Sequence, residues 1–203
     1  RREARDEYRA ATHDERSDLN ATAGKLLLLD AALRDESGTE KDALAILRRD
    51  RANRMALAIW GNTLATRGEN VKAEAYLRRA TAEGGPVMIE PLNDLAEVLS
   101  RLGKLGEALE ISDQVMEHAE EPNWTFIETR AAIMMRLGRL DEAGELLQRA
   151  VMAARSAKQE DVARNILDID RARLMKLSEY RNFVRNIKSR ALTPAHRKLV
   201  DEL

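Results

Sequence analysis

Apolar residues along this chain return at spacings of three and four rather than two. Leu57, Trp60, Gly61 and Leu64 form one such stripe, Leu92, Leu95, Ala96 and Leu99 a second, and Ile127, Ala131 and Met134 a third. Residues so spaced lie on one face of an α-helix, which predicts short amphipathic helices. Each stripe is followed by Gly68, Gly103 or Gly138, and glycine ends a helix at positive φ without a Cβ penalty. Beyond each glycine a new stripe begins: Ala73, Leu77 and Ala80; Ala108 and Val115; Ala143, Leu147 and Ala150. The pattern predicts helical pairs joined by glycine turns.

The pairs repeat. Residues 101–110 recur as residues 136–145, with Arg, Leu, Gly, Leu, Glu, Ala and Glu in register at an offset of 35, and one further step back reaches Gly68 and Ala73. This spacing and these residue types resemble the tetratricopeptide repeat, a helix-turn-helix unit of about 34 residues. The resemblance implies an all-α, right-handed superhelical α-solenoid of antiparallel helix pairs. It places repeats at 54–88, 89–123 and 124–158. Their signature residues are Gly61, Gly68 and Ala73, then Ala96, Gly103 and Ala108, then Ala131, Gly138 and Ala143. Small residues are needed where paired helices press closest, because a larger side chain would push the backbones apart. One pair cannot bury its stripe alone, so stacking stabilises the array.

The flanks are less regular. Residues 23–52 read as a degenerate helical pair, with helices at 25–33 and 40–47 turning around Gly38 and a tight or continuous join to the next helix at 50–54. Residues 1–22 are too charged for a core helix and read as an N-terminal helix or linker. After the third repeat, 164–192 reads as a divergent pair with Ser178 in the turn position; its five extra residues fall in the polar stretch 155–161. Thr193-Pro194 is a helix-start signal, so 193–203 reads as a capping or truncated helix. The chain begins at Arg1 rather than Met and shows no signal peptide, which suggests a segment of a longer protein.

Composition agrees with helix throughout: hydrophobic residues are 44%, aromatic residues only 3%, with 10 Gly and 4 Pro. Sheet-based folds need more β-branched and aromatic residues and more turns. No Cys is present, which removes disulfides and thiolate chemistry and suits cytosol and periplasm alike. No apolar run approaches the roughly 20 residues of a membrane span. The formal net charge of -1 removes bulk basicity as a reason to bind nucleic acid. That total hides an acidic stretch, 84–128, with ten acids against Arg101 and Lys104, and a basic one, 164–203, with ten cations against five acids.

No constellation for catalysis emerges. His13, His118 and His196 lie in separate regions without ligand spacing, so neither a metal nor a cofactor is expected. The chain is read as non-enzymatic. The resemblance instead points to the face lined by the first helix of each repeat, expected to be concave. Its columns include Asn93, Glu128 and Asp168; Asn62 and Glu97; and Thr66, Arg101, Arg136 and Lys176. The cations could hold carboxylates of an extended peptide, or simply complement helix C-termini. Family members that capture acidic chaperone tails use a two-carboxylate clamp, of which only Asn62 is present; Ala58, Asp94, Thr125 and Thr129 occupy the other places. That argues against chaperone-tail binding. The expected function is a protein-binding scaffold with a protein or peptide ligand. The rival is an accessory, regulatory or self-associating domain of a larger protein, and nucleic acid binding by the basic C-terminal part stands third.

Overall fold

The computed structural model describes residues 2–13, 36–82, 86–120 and 123–188. Among these residues run nine helices: α1 (Arg2–His13), α2 (Glu36–Arg49), α3 (Arg54–Thr66), α4 (Asn70–Thr81), α5 (Ile89–Arg101), α6 (Leu105–His118), α7 (Trp124–Arg136), α8 (Leu140–Ser156) and α9 (Glu160–Lys188). The chain divides into two compact units, Arg1–Glu121 and Pro122–Leu203, so α1–α6 belong to the first and α7–α9 to the second. The expected helices at 25–33 and 193–203, and the remainder of 1–22 beyond α1, lie outside the described residues.

Helices α3, α5 and α7 begin 35 residues apart, and so do α4, α6 and α8. The turn inside each pair is what keeps this register. Gly68, Gly103 and Gly138 adopt φ of 78°, 77° and 79°. With that bend, the N–H of Glu69 donates to the Leu64 carbonyl at 2.9 Å and the N–H of Gly68 to that of Ala65 at 3.0 Å. The same two bonds form at Lys104 and Gly103 and again at Arg139 and Gly138. Carbonyls left unpaired at the helix end are thereby satisfied, and the chain reverses within three residues.

The reversal presses the two helices together. Ala73, Ala96, Ala108, Ala131 and Ala143 are wholly buried. At Gly61 the approach is tighter still, since a Cβ there would lie 2.7 Å from Leu77 Cγ and 3.3 Å from the Leu77 backbone nitrogen. Larger side chains fill the space between these contacts. Leu77, Leu95, Leu99, Ile133 and Leu147 are almost completely buried, each contributing about 1.5–3 kcal/mol.

In the first unit, α2 joins this packing through Ala43 and Ile46, which cluster with Ala56 of α3. The join is tight. The Asp50 N–H still bonds to the Ile46 carbonyl at 2.8 Å, and Asn53 then caps α3 by accepting from the Ala56 N–H at 3.1 Å. Helix α1 is tied to α2 by a two-armed ion pair: Arg9 Nε and Nη2 reach the Asp42 carboxylate at 2.9 Å and 2.6 Å.

Two expectations are corrected. Gly38 is not a turn: it lies in the first turn of α2, which starts at Glu36. First-turn N–H groups have no partner within the helix, so glycine there does not break it. The segment 164–192 is not a pair, because α9 runs unbroken over 29 residues. No Gly or Pro occurs between 160 and 188, and Ser178 lacks glycine's access to positive φ. Of the five extra residues, part lengthens α8, which has 17 residues.

The α8–α9 turn copies the glycine turns without a glycine. Lys158 takes φ 59°, the Gln159 N–H bonds to the Ala154 carbonyl at 2.9 Å, and the Lys158 N–H bonds to that of Arg155 at 2.8 Å. In the second unit Arg173 of α9, 8% exposed, pairs with Asp170 at 2.7 Å and donates to the Leu140 carbonyl of α8 at 2.9 Å. Gly144 makes room for it: a Cβ there would stand 2.6 Å from the guanidinium carbon.

A left-handed non-glycine residue costs about 1–2 kcal/mol, partly offset by the greater unfolded-state freedom of glycine. Lys158→Gly is therefore expected to stabilise the protein by about 0.5–1 kcal/mol and Gly103→Ala to destabilise it by about 1 kcal/mol, read from urea unfolding midpoints. Gly144→Ala only has to move the end of the Arg173 side chain and gains about 0.5–1 kcal/mol of helix propensity, so its midpoint should change little, whereas Gly144→Leu should lower stability by about 1–3 kcal/mol; an unchanged midpoint for the leucine variant would contradict that packing.

Candidate functional site

In the first unit the residues expected to face a ligand sit on α3 and α5. Asn62 and Thr66 are exposed one turn apart on α3, with Thr66 Oγ1 donating to the Asn62 carbonyl at 3.0 Å. Asn62 in turn donates from Nδ2 to Asp94 Oδ2 on α5 at 2.9 Å. One turn along α5 from Asp94 lies Glu97, which pairs with Arg101 at 2.5 Å. The other arm of Arg101 reaches across to α3 and donates to the Ala65 carbonyl at 3.1 Å. Asn62, Asp94, Glu97 and Arg101 therefore form a connected polar strip over two neighbouring helices.

Arg101 is thus no free cation. Its two arms bind a carbonyl near the C-terminal end of α3 and a carboxylate on its own helix, which is the helix-end role rather than the open carboxylate clamp. Asn93 is corrected more strongly. It is 4% exposed, and Ala58, one period earlier, is buried as well. These two positions turn inward on α3 and α5, so Asn93 does not present its amide to a ligand.

The remaining expected residues belong to the second unit. On α7, Glu128 is half-buried and Arg136 exposed, and both are engaged by neighbouring groups. On α9, Asp168 is exposed and engaged, and Lys176 is exposed. The signature residues Gly61, Ala73, Ala96, Ala108, Ala131 and Ala143 are all buried, and Gly68, Gly103 and Gly138 stand exposed in the turns.

Asp94 is the residue that the column reading missed. Burial pushes its carboxyl up from the ordinary 3.8 to about 6; the Asn62 hydrogen bond opposes this, Glu97 and Glu90 add to it, and Arg101 draws it back down. The only advance signal was its place opposite Asn62 in the clamp comparison. A parallel strip links α4 to α6. Lys104 Nζ reaches Glu74 at 2.6 Å, Glu74 meets Arg78 at 2.8 Å, and Arg78 meets Glu107 at 2.6 Å. Lys104, then Arg78, hold the Glu74 carboxyl below the usual carboxylate range. Several acids of the 84–128 stretch are therefore engaged within the protein.

Among the described residues, no group of three or more His, Asp or Glu is placed to hold a metal ion, and no helix is long and apolar enough to cross a membrane. Buried Arg173 is committed to Asp170 and the Leu140 carbonyl, which subtracts it from the C-terminal cations that could meet a phosphate.

No protein-family model matches the chain, and neither does any curated protein. Solved structures do. YrrB, a TPR protein with an unusual peptide-binding site, superposes with a TM-score of 0.54 at 16% identity, covering 79% of this chain and 89% of its own. A tetratricopeptide repeat protein from Parabacteroides merdae gives 0.54 at 14% identity, covering 97% and 89%. The MamA protein gives 0.50 at 15% identity, covering 86% and 98%. The fold is that of an all-α tetratricopeptide-type helical repeat, the class that the glycine turns and the 35-residue register had already defined.

The raised Asp94 value gives a pH test. The folded protein holds this proton more tightly than the unfolded chain, so the stability it contributes is complete below about 3.8 and lost as pH rises through about 6. Asp94→Asn keeps an acceptor for Asn62 and removes the titration. Its gain over the parent should be near zero at pH 4 and level off above pH 6 at about 1–3 kcal/mol, measured by urea unfolding across that range. A gain that does not vary with pH would contradict the assignment.

Proposed function

We propose that the protein is a non-catalytic interaction scaffold that holds a protein or peptide segment on the surface carried by the first helices of its repeats. The repeats are 54–88, 89–123 and 124–158. The observation that carries this reading is the strict recurrence of helix starts and left-handed glycine turns every 35 residues. Such recurrence presents equivalent side chains at a fixed interval, which suits an extended chain. In the first unit the surface is the polar strip of Asn62, Thr66, Asp94, Glu97 and Arg101. Glu128 and Arg136 on α7, and Asp168 and Lys176 on α9, are the corresponding groups of the second.

The strip carries amide, hydroxyl, carboxylate and guanidinium groups side by side, so it offers donors and acceptors rather than one sign of charge. That favours a polar peptide backbone with mixed side chains over a uniformly acidic one. The peptide-binding site of the fold neighbour YrrB supports the same reading.

Selection of displayed peptides against the 203-residue protein tests it. Thr66→Arg combined with Glu97→Arg should weaken the selected peptides at least about tenfold, or 1.4 kcal/mol, with circular-dichroism helicity unchanged. Glu110→Arg, on α6, should leave affinity intact. Binding indifferent to the α3 and α5 changes would remove this surface as the site.

A further inference from the structure

A cavity of about 320 Å³ lies between α2 and α4, away from the α3 and α5 strip. It is lined by Leu44, Leu47 and Arg48 of α2, Arg51 of the following turn, and Tyr76 and Arg79 of α4. Three guanidinium-bearing residues thus surround a floor of two leucines and a tyrosine, and the lining contains no acid. The carboxylate nearest in sequence, Asp50, uses Oδ1 to accept the Ala52 N–H at 2.9 Å.

Most arginines of this unit have an internal acceptor. Arg9 is held by Asp42, Arg67 by Glu40, Arg78 by Glu74 and Glu107, and Arg101 by Glu97. In the cavity, Arg79 lies over the Tyr76 ring at 5.8 Å and donates to the Arg51 carbonyl at 2.5 Å, which fixes that edge of the lining. Tyr76 is itself braced by the edge of Trp60, with ring centroids 6.5 Å apart. Among the described residues, the guanidinium groups of Arg48 and Arg51 form no hydrogen bond or ion pair. Arg48 complements the C-terminal end of α2, worth about 0.3–1 kcal/mol, but that role does not require a second unpaired arginine facing the same apolar floor.

We propose that this cavity is a docking site for an acidic segment of a partner protein, in which a carboxylate is gripped by Arg48 and Arg51 while an adjoining apolar side chain lies on Leu44, Leu47 and Tyr76. Arginine suits this because its planar fork bonds a carboxylate through two donors at once. Arginine forks bind phosphate as well as carboxylate, and it is the apolar surface of Leu44, Leu47 and Tyr76 beside them that favours a carboxylate next to an apolar side chain. The volume accepts one or two side chains, whereas a nucleic acid strand needs an extended track of cations. The site uses different residues from the strip under the proposed function, so either can fail without the other.

Fluorescence anisotropy of a fluorescein-labelled peptide of alternating glutamate and leucine tests the assignment, at physiological salt to screen diffuse attraction. A glutamine–leucine peptide and a single-stranded oligouridine are the comparison arms. The glutamate peptide should bind at least tenfold more tightly than either. Arg48→Gln with Arg51→Gln should abolish that preference with at most a small drop in the thermal melt, from the charge lost at the C-terminal end of α2. Arg48→Lys with Arg51→Lys should restore part of it. Glu110→Gln, on the exposed face of α6, should leave it unchanged. Equal binding of the two peptides, tighter binding of oligouridine, or affinity unaffected by the double glutamine variant would each overturn the proposal.

Discussion

The left-handed residue that closes each helical pair is the constraint from which the rest of the structure follows. At φ near 78° the chain turns back on itself within three residues, and two carbonyls at the end of the first helix acquire backbone donors. A looser turn would let the second helix stand off. With this one, helix axes approach until only Gly or Ala fits at the crossing, as the 2.7 Å clearance at Gly61 demonstrates. Leu and Ile occupy the layers above and below, and aromatic side chains are correspondingly scarce. Among the described residues the geometry accepts a residue other than glycine at Lys158, where α8 and α9 are joined by the same pair of hydrogen bonds.

Side-chain ion pairs and hydrogen bonds connect neighbouring helical pairs as well as residues of one helix. In the first unit Asn62 and Arg101 connect α3 to α5, and the alternating series Lys104, Glu74, Arg78 and Glu107 connects α4 to α6. Exposed ion pairs of this kind add little stability, typically under about 1 kcal/mol each. Their value is positional, because Glu74 and Arg78 each sit between two opposite charges and so fix how α4 lies against α6. The near-zero total charge of the chain is thus partly the result of internal pairing. Among the described residues, Arg48 and Arg51 beside Tyr76 stand without such an acceptor against that background.

The periodic part of the fold was legible because its cause is local: a glycine at one fixed position and small residues at two others are visible in any sequence. What lay outside the period was misread for the same reason. A template that expects a turn every 35 residues finds one at Ser178, although the absence of Gly and Pro from 160 to 188 was equally plain in the sequence. Gly38 was taken for a turn on residue type alone, whereas glycine in a first turn interrupts nothing. The candidate surface was half legible. Projection by a constant offset placed Arg101 on the right pair of helices but could not supply its partner, the Ala65 carbonyl 36 residues away. It also placed Asn93 in the open, because a column drawn along the sequence carries no information about which way that column rotates into the packing. Asp94 and the Gly144–Arg173 fit depend on side chains meeting across helices, and no one-dimensional pattern reports such meetings.

The uninterrupted α9 has a mechanical consequence. At 1.5 Å per residue its 29 residues rise about 43 Å, while the 17 residues of α8 beside it rise about 25 Å. The two cannot be coextensive, so roughly two fifths of α9 has no length of α8 to lie against. Leu174 and Met175 are already 52% and 61% exposed. The buried Arg173 ties α9 to the Leu140 carbonyl at the start of α8, so one guanidinium sets how far the long helix can slide along its shorter neighbour.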